Sequence, residues 1–209
     1  MDVEIISIGT ELLLGEITNT NAQFIAHEIA QIGLNSYYQT VVGDNPLRLK
    51  ETITQSLKRS DVLIITGGLG PTYDDMTKEC VADVLALDLE LHEESLNRIE
   101  AYFESKSEKM PKNNIKQAMI PKGSQVIINN NGTAPGILIE HELKTIILMP
   151  GVPYEMKAMF KNQVLLFLER KSDVKIVSRH LYLFGIGESD VEEKLEDLMK
   201  DSANPTVAP

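Results

Sequence analysis

The residues best suited to chemistry lie between Asp61 and Glu79, in the run DVLIITGGLGPTYDDMTKE. Gly67, Gly68 and Gly70 fall within four residues, so the backbone there is free to take positive φ and to present bare N–H groups, with Pro71 stiffening the far side of the turn. The apolar, β-branched run from Val62 to Thr66 predicts a buried strand before the glycines. Cys80, Val81, Val84 and Leu85 follow at helical spacing, with Asp74 and Asp75 as candidate N-caps. Strand, glycine loop and helix in that order set unpaired N–H groups and the positive end of a helix at a strand's carboxyl end. Open α/β sheets bind phosphorylated ligands at such places. A Walker loop would require Gly-Lys-Ser/Thr after the glycines and a dinucleotide fingerprint a third spaced glycine, and neither is present.

Asp74 and Asp75 restrict which anion fits. A carboxylate repels a bare phosphate by about 4 kcal/mol for unit charges 4 Å apart at an effective dielectric near 20. Either a divalent cation bridges carboxylate and phosphate, or one Asp turns aside to accept hydrogen bonds from a base or a pterin ring. Each Asp taken singly could instead serve only as a helix cap. Other strand ends bring further polar groups. Thr10, Glu11, Glu16 and Asn21 follow the first expected strand, and Gly151, Pro153 and Glu155 follow the last. Pro153 and Glu155 also suit an ordinary helix start. Lys116 is one of few cations near this candidate phosphate site.

The elements that must position these groups alternate. Val3 to Ile8 predicts the first strand, and Thr18 and Asn19 cap a helix with apolar positions Ala22, Ile25, Ala26, Ile29 and Ile32, closed by Gly33. Tyr37 to Val42 predicts the second strand, and Asp44-Asn45-Pro46 opens a helix through Leu49, Ile53 and Leu57. Three strand-helix units in succession imply parallel pairing and right-handed crossovers. Residues 89–119 read as helical and charged, with a break at Met110-Pro111. Antiparallel or edge strands are expected at 125–128, 136–140 and 145–149, joined by the turns at Asn131-Gly132 and His141-Glu142. The last runs into a helix through Phe160, Val164 and Leu168. The expected fold is thus α/β, a three-layer, doubly wound, mostly parallel sheet over residues 1–170. Residues 171–209, with a strand at 174–184 and a helix at 188–199, read as the truncated start of a small α+β second domain, since one strand and one helix cannot bury a core alone.

Composition bounds the rest. The 209 residues are 43% hydrophobic and 24% charged, with net charge −11, which argues against nucleic-acid phosphate as the partner. A single cysteine, Cys80, excludes a disulfide framework within one chain. No signal peptide or membrane-length apolar run is evident, so a cytoplasmic protein without membrane contact is expected.

Five ordered motifs together resemble the N-terminal part of the competence/damage-inducible CinA family, within the molybdopterin-binding-domain superfamily. They are GTELLLGEITNTN (9–21), TGGLGPTYDDMTKE (66–79), NIKQAMIP (114–121), NGTAPG (131–136) and MPGVPYEM (149–156). The wider superfamily handles molybdenum cofactor and shares the pattern met here by Gly67, Gly68, Gly70, Asp75 and Thr77. The resemblance implies a molybdopterin-binding-like fold with a KH-like domain after it, and a homodimer. It also implies hydrolysis of ADP-ribose at its diphosphate with a divalent ion, Co²⁺, Mn²⁺ or Mg²⁺. The family's C-terminal deamidase domain has no counterpart in this sequence, and neither does a Nudix box. On this reading the glycine loop, Thr10, Thr72, Thr77, Gly151 and Pro153 hold a small phosphorylated ligand, ADP-ribose or a pterin. Some of Asp44, Asp74, Asp75 and Glu155 hold the ion, which supplies the attacking water. Asp75, Glu11 as base or further ligand, and Lys116 neutralising developing charge would carry catalysis.

Overall fold

A computed structural model describes residues 1–171, 179, 181–202, 204 and 207, which fall into two compact units, Met1–Ile176 and Val177–Pro209. In the first unit, strands β1 (Asp2–Ile8), β2 (Asn35–Val42) and β3 (Val62–Thr66) alternate with α2 (Thr20–Gln31) and α3 (Pro46–Arg59), and a short α1 (Thr10–Leu13) follows β1 directly. β3 leads through the glycine loop into α4 (Thr77–Leu85). Further along come β6 (Gln125–Ile127), β7 (Gly136–His141), β8 (Lys144–Met149) and α6 (Pro153–Met159). A π-helical turn, Phe160–Val164, joins α6 to α7 (Leu165–Lys171).

The sheet order is β2-β1-β3-β8-β7-β6, with the first four strands parallel and the last two antiparallel to their neighbours. Every residue of β3 is buried, as expected of a central strand covered on both faces. One core packs Ile25, Ile29, Met156 and Phe160 against Val3, Ile5 and Ile64. The other packs Leu49, Ile53, Cys80 and Val81 against Ile6, Leu63 and Ile65. These are the two helical layers of the expected three-layer α/β fold.

The region read as continuous helix, 89–119, is more varied. Leu89–Leu91 forms β4, α5 spans Glu93–Ser105, and a 3₁₀ segment, Lys112–Ala118, leads into β5 (Met119–Pro121). β4 and β5 pair antiparallel as a separate ribbon. Three-residue strands carry too little alternation to be seen in sequence, whereas the interrupted helix was visible at Pro111. In the second unit α8 covers Glu188–Asp201, as expected. Of the strand expected at 174–184, residues 174–178 and 180 lie outside the described residues, and 181–184 have no regular structure. Among the described residues no helix is long and apolar enough to cross a membrane.

One charged side chain sits in the middle of β1. Glu4 is fully buried and accepts hydrogen bonds from Arg59 Nε (2.9 Å) and Nη2 (2.6 Å), Ser56 Oγ (2.8 Å) and Thr40 Oγ1 (3.0 Å). Burial raises the carboxyl pKa, but these donors, Arg59 first, outweigh it and hold the group below its ordinary value. A depressed folded pKa gives stability that is present above the unfolded value and lost as pH falls through the folded one. Glu4→Gln is therefore expected to cost about 2 kcal/mol at pH 7 and to flatten the loss of stability below pH 4.5, as read by urea denaturation across that range.

Candidate functional site

The carboxyl ends of β1, β3 and β8 open onto one cleft of about 560 Å³. Its floor is the glycine loop. Gly68 has φ +64°, and a Cβ there would overlap the Thr77 hydroxyl, which donates to Gly67 O at 2.8 Å. Gly67 has φ +100° and would drive a Cβ into Ile8 O, while its own N–H is tied to Met149 O at 3.0 Å. Three strand ends thus converge on backbone that only glycine can supply. Asn21 Nδ2 donates to Gly151 O at 2.7 Å and fixes the turn after β8 against α2.

Five carboxylates line this cleft, from Glu11, Asp44, Asp74, Asp75 and Glu155, and among the described residues no Lys, Arg or His does. Each is held differently. Asp44 Oδ2 accepts from Thr10 N (2.9 Å) and Thr10 Oγ1 (2.8 Å), which ties the start of α3 to α1. Asp75 Oδ2 accepts from Thr72 N at 3.0 Å and lies against Gly70. The Thr72 hydroxyl is within hydrogen-bonding reach of both Asp74 and Asp75. That hydroxyl, then Asp74's own backbone, lowers the Asp74 pKa below its ordinary value, so this side chain is charged at neutral pH. Glu155 is buried in the first turn of α6, and it accepts from Asn129 Nδ2 at 2.6 Å.

The expectation that Asp74 or Asp75 caps a helix is corrected. The N-cap of α4 is Met76, without a side-chain bond, and both aspartates instead fold back on Thr72. Lys116 is also reassigned, because its Nζ donates to Thr72 O (2.8 Å) and to Asp75 O, and it does not line the cleft. The same 3₁₀ segment reaches Pro71 O through Asn113 Nδ2 (3.4 Å) and Leu69 O through Gln117 Nε2 (3.3 Å). Three side chains from one short segment therefore clamp four carbonyls of the acidic loop. Behind it lies Lys78, 1% exposed, with Nζ 3.4 Å from Glu79 Oε1 and no hydrogen-bond partner. Burial pushes the Lys78 pKa down, against the opposing pull of Glu79.

Of the ligand-holding residues expected from sequence, Gly67, Gly68, Gly70 and Gly151 line the cleft. Thr10, Thr72 and Thr77 act from behind as hydrogen-bond supports, and Pro153 serves as the first residue of α6. Gln117, in the stretch 114–117 that the sequence allows to reach a cleft, lines it, and so does Thr133, which was not singled out in sequence. The motifs containing them, NIKQAMIP and NGTAPG, were the available signal. Gln163, in the π-helical turn, was also missed. Its amide pairs with Ile128 N and O, both at 2.8 Å, and anchors the segment that carries Asn129. Among the described residues no three acidic, His or Cys side chains converge tightly enough to cage a metal ion by themselves. The donor set instead fits a hard ion that one or two carboxylates share with ligand phosphates.

Fold and cleft define a doubly wound α/β domain with an acidic cleft at the carboxyl ends of its strands. Residues 4–170 match the family described as "Probable molybdopterin binding domain", and residues 178–209 match "Damage-inducible protein CinA KH domain". MoaB from Thermus thermophilus, 16% identical over 82% of this chain and 98% of its own, superposes with a TM-score of 0.51 and shares the fold. CinA from Thermoplasma acidophilum is nearer, 35% identical over 77% of this chain and 94% of its own, with a TM-score of 0.71. A CinA-like protein of Dictyoglomus turgidum is 51% identical over all of this chain and 51% of its own length. The chain belongs to the CinA family, and it spans about half the length of the curated relatives it matches.

Two variants test how the site is built. Gly68→Val, strained at φ +64° and overlapping Thr77, is expected to lower stability by about 3 kcal/mol and to abolish ligand binding, as read by melting and calorimetry. Lys116→Met is expected to leave the global fold intact while hydrogen exchange at residues 70–76 speeds up at least tenfold, the loss of about 1.4 kcal/mol of local protection.

Proposed function

We propose that this domain hydrolyses ADP-ribose at its diphosphate, giving AMP and ribose 5-phosphate, with a divalent ion. The observation that carries the reading is the charge of the cleft: five carboxylates around a bare glycine loop, with no basic side chain among the lining. With the Gly67 N–H tied to Met149 O and the Thr72 N–H to Asp75, the N–H groups of Gly68, Leu69 and Gly70 are left to suit a phosphate, yet the carboxylates repel it unless a cation intervenes. Asp74 and Asp75, adjacent and both beside Thr72 in the cleft lining, would hold such an ion together with the diphosphate oxygens, with Asp44 and Glu155 within the same cleft. The ion, when bound, neutralises phosphate charge and acts as Lewis acid. Glu11, exposed on α1 and without a side-chain hydrogen bond among the described residues, takes the proton of the attacking water. Water oxygen bonds to one phosphorus as the bridging P–O bond breaks, and the leaving phosphate keeps the bridging oxygen.

A second reading is favoured by the family description itself, a molybdopterin-binding module without turnover, in which Asp74 or Asp75 accepts hydrogen bonds from a pterin ring. One experiment separates the two. The protein is incubated with ADP-ribose and Mn²⁺, Co²⁺ or Mg²⁺, and the products are resolved by chromatography. AMP and ribose 5-phosphate in equal amounts, abolished by chelator, are expected. No product with any metal contradicts hydrolysis. Asp75→Asn, which keeps an acceptor for the Thr72 N–H but removes the charge, is expected to lower kcat roughly 100-fold or more at unchanged melting temperature. Parental turnover in this variant would restrict Asp75 to holding the loop.

A further inference from the structure

A second cavity, of about 330 Å³, opens between α5 and segment 128–135. Ser95, Arg98 and Tyr102 stand on the α5 side, and Asn130, Gly132 and Thr133 face them. Thr133 also lines the carboxylate cleft, and Gly132 lies so close to Glu155 that a Cβ on it would overlap the carboxylate. Segment 129–134, tied by Asn129 to both Ala134 O (2.9 Å) and Glu155 (2.6 Å), contributes residues to both cavities, which share Thr133. A ligand longer than a diphosphate that leaves the cleft past Thr133 enters this second space.

The two cavities have opposite character. The cleft has five carboxylates and no base, whereas the second cavity has Arg98 and no carboxylate among its lining. Arg98 is exposed and donates from Nη2 to Asn130 Oδ1 at 2.8 Å. Among the described residues it forms no ion pair, although the chain carries 31 acidic residues against 20 basic ones. Its remaining donors and its flat guanidinium face are therefore uncommitted. A guanidinium stacks on aromatic ring systems and donates to ring nitrogens and carbonyls. Beside it stand Tyr102, whose ring and hydroxyl are engaged by Lys106 Nζ (4.3 Å to the ring centroid, 2.7 Å to the oxygen), and the Asn130 amide; a guanidinium face next to an aromatic edge and an amide is a set suited to a nucleobase. The volume lies at the low end for ligand pockets, enough for one nucleoside and too small for a whole dinucleotide.

We infer that the cavity between α5 and segment 128–135 is the nucleoside subsite for the ligand whose diphosphate lies in the carboxylate cleft, with the purine beside Arg98 and the ribose passing Thr133. This rests on the diphosphate reading above. Arg98→Leu tests it, on an exposed helical position where the fold is not at risk. The probes are the non-hydrolysable α,β-methylene analogue of ADP-ribose and inorganic pyrophosphate, each titrated calorimetrically with Mn²⁺ present. The variant is expected to bind the methylene analogue about 10-fold or more weakly and pyrophosphate as the parent does. Its KM for ADP-ribose should rise by the same factor with kcat within about threefold, and Arg98→Lys should restore only part of the loss, because it returns charge without the planar fork. Unchanged affinity for the analogue overturns the subsite and leaves the diphosphate reading standing. Equal weakening of pyrophosphate also overturns it, since Arg98 would then act on phosphate charge. If the parent binds neither probe, the diphosphate reading fails, and the subsite with it.

Discussion

Negative charge gathered at one end of a parallel sheet is the constraint on which this site depends. Five carboxylates share one cleft without a basic side chain among its lining, so any phosphorylated ligand must bring or recruit positive charge. A stable fold has no use for that arrangement, because like charges held near one another cost free energy. On the proposed function it becomes useful, because a divalent ion and a diphosphate entering together would each make the other's presence favourable. The contrast with Glu4 is instructive. That buried carboxylate is surrounded by Arg59 and three hydroxyl-bearing side chains and is satisfied within the fold, whereas Asp74 and Asp75 have the hydroxyl and N–H of Thr72 and, for Asp74, its own backbone N–H at their oxygens, and among the described residues neither forms an ion pair.

The scaffold holds the acidic loop from both sides. In front, the glycine backbone packs onto Ile8, Met149 and Thr77 so closely that side chains there are excluded. Behind, Asn113, Lys116 and Gln117 grip the loop carbonyls. Lys116 thus contributes through loop geometry. The NGTAPG segment plays the matching part on the opposite wall, anchored by Gln163 at one end and by Asn129 in its middle.

Much of this was legible in the sequence, for physical reasons. β1, β3, α2 and α3 carry long apolar runs or helical periodicity bounded by Gly33, Asn45 and Pro46, and their structures follow. The cleft's carboxylates could be named because each follows a strand end or opens a helix. What could not be read were relations across long separations. Lys116 meets partners more than forty residues earlier, and nothing in its local sequence distinguishes a loop brace from a free cation. The β4–β5 ribbon is too short to show alternation, and the cavity over Arg98 exists only because α5 packs beside a turn thirty residues later. The aspartates were misread as caps because cap and loop-closing geometries use the same residue types at the same spacing.

The central claim is that the carboxylate cleft binds a diphosphate through a shared divalent ion. A crystal grown with Mn²⁺ and the α,β-methylene analogue of ADP-ribose tests it most directly, through the anomalous signal of manganese. The account predicts one strong peak in contact with Asp74 or Asp75 and with oxygens of both phosphates, the phosphates lying over Gly67 and Gly68. Phosphates bound over the glycine loop with no manganese beside them, or manganese bound away from the five carboxylates, would contradict it.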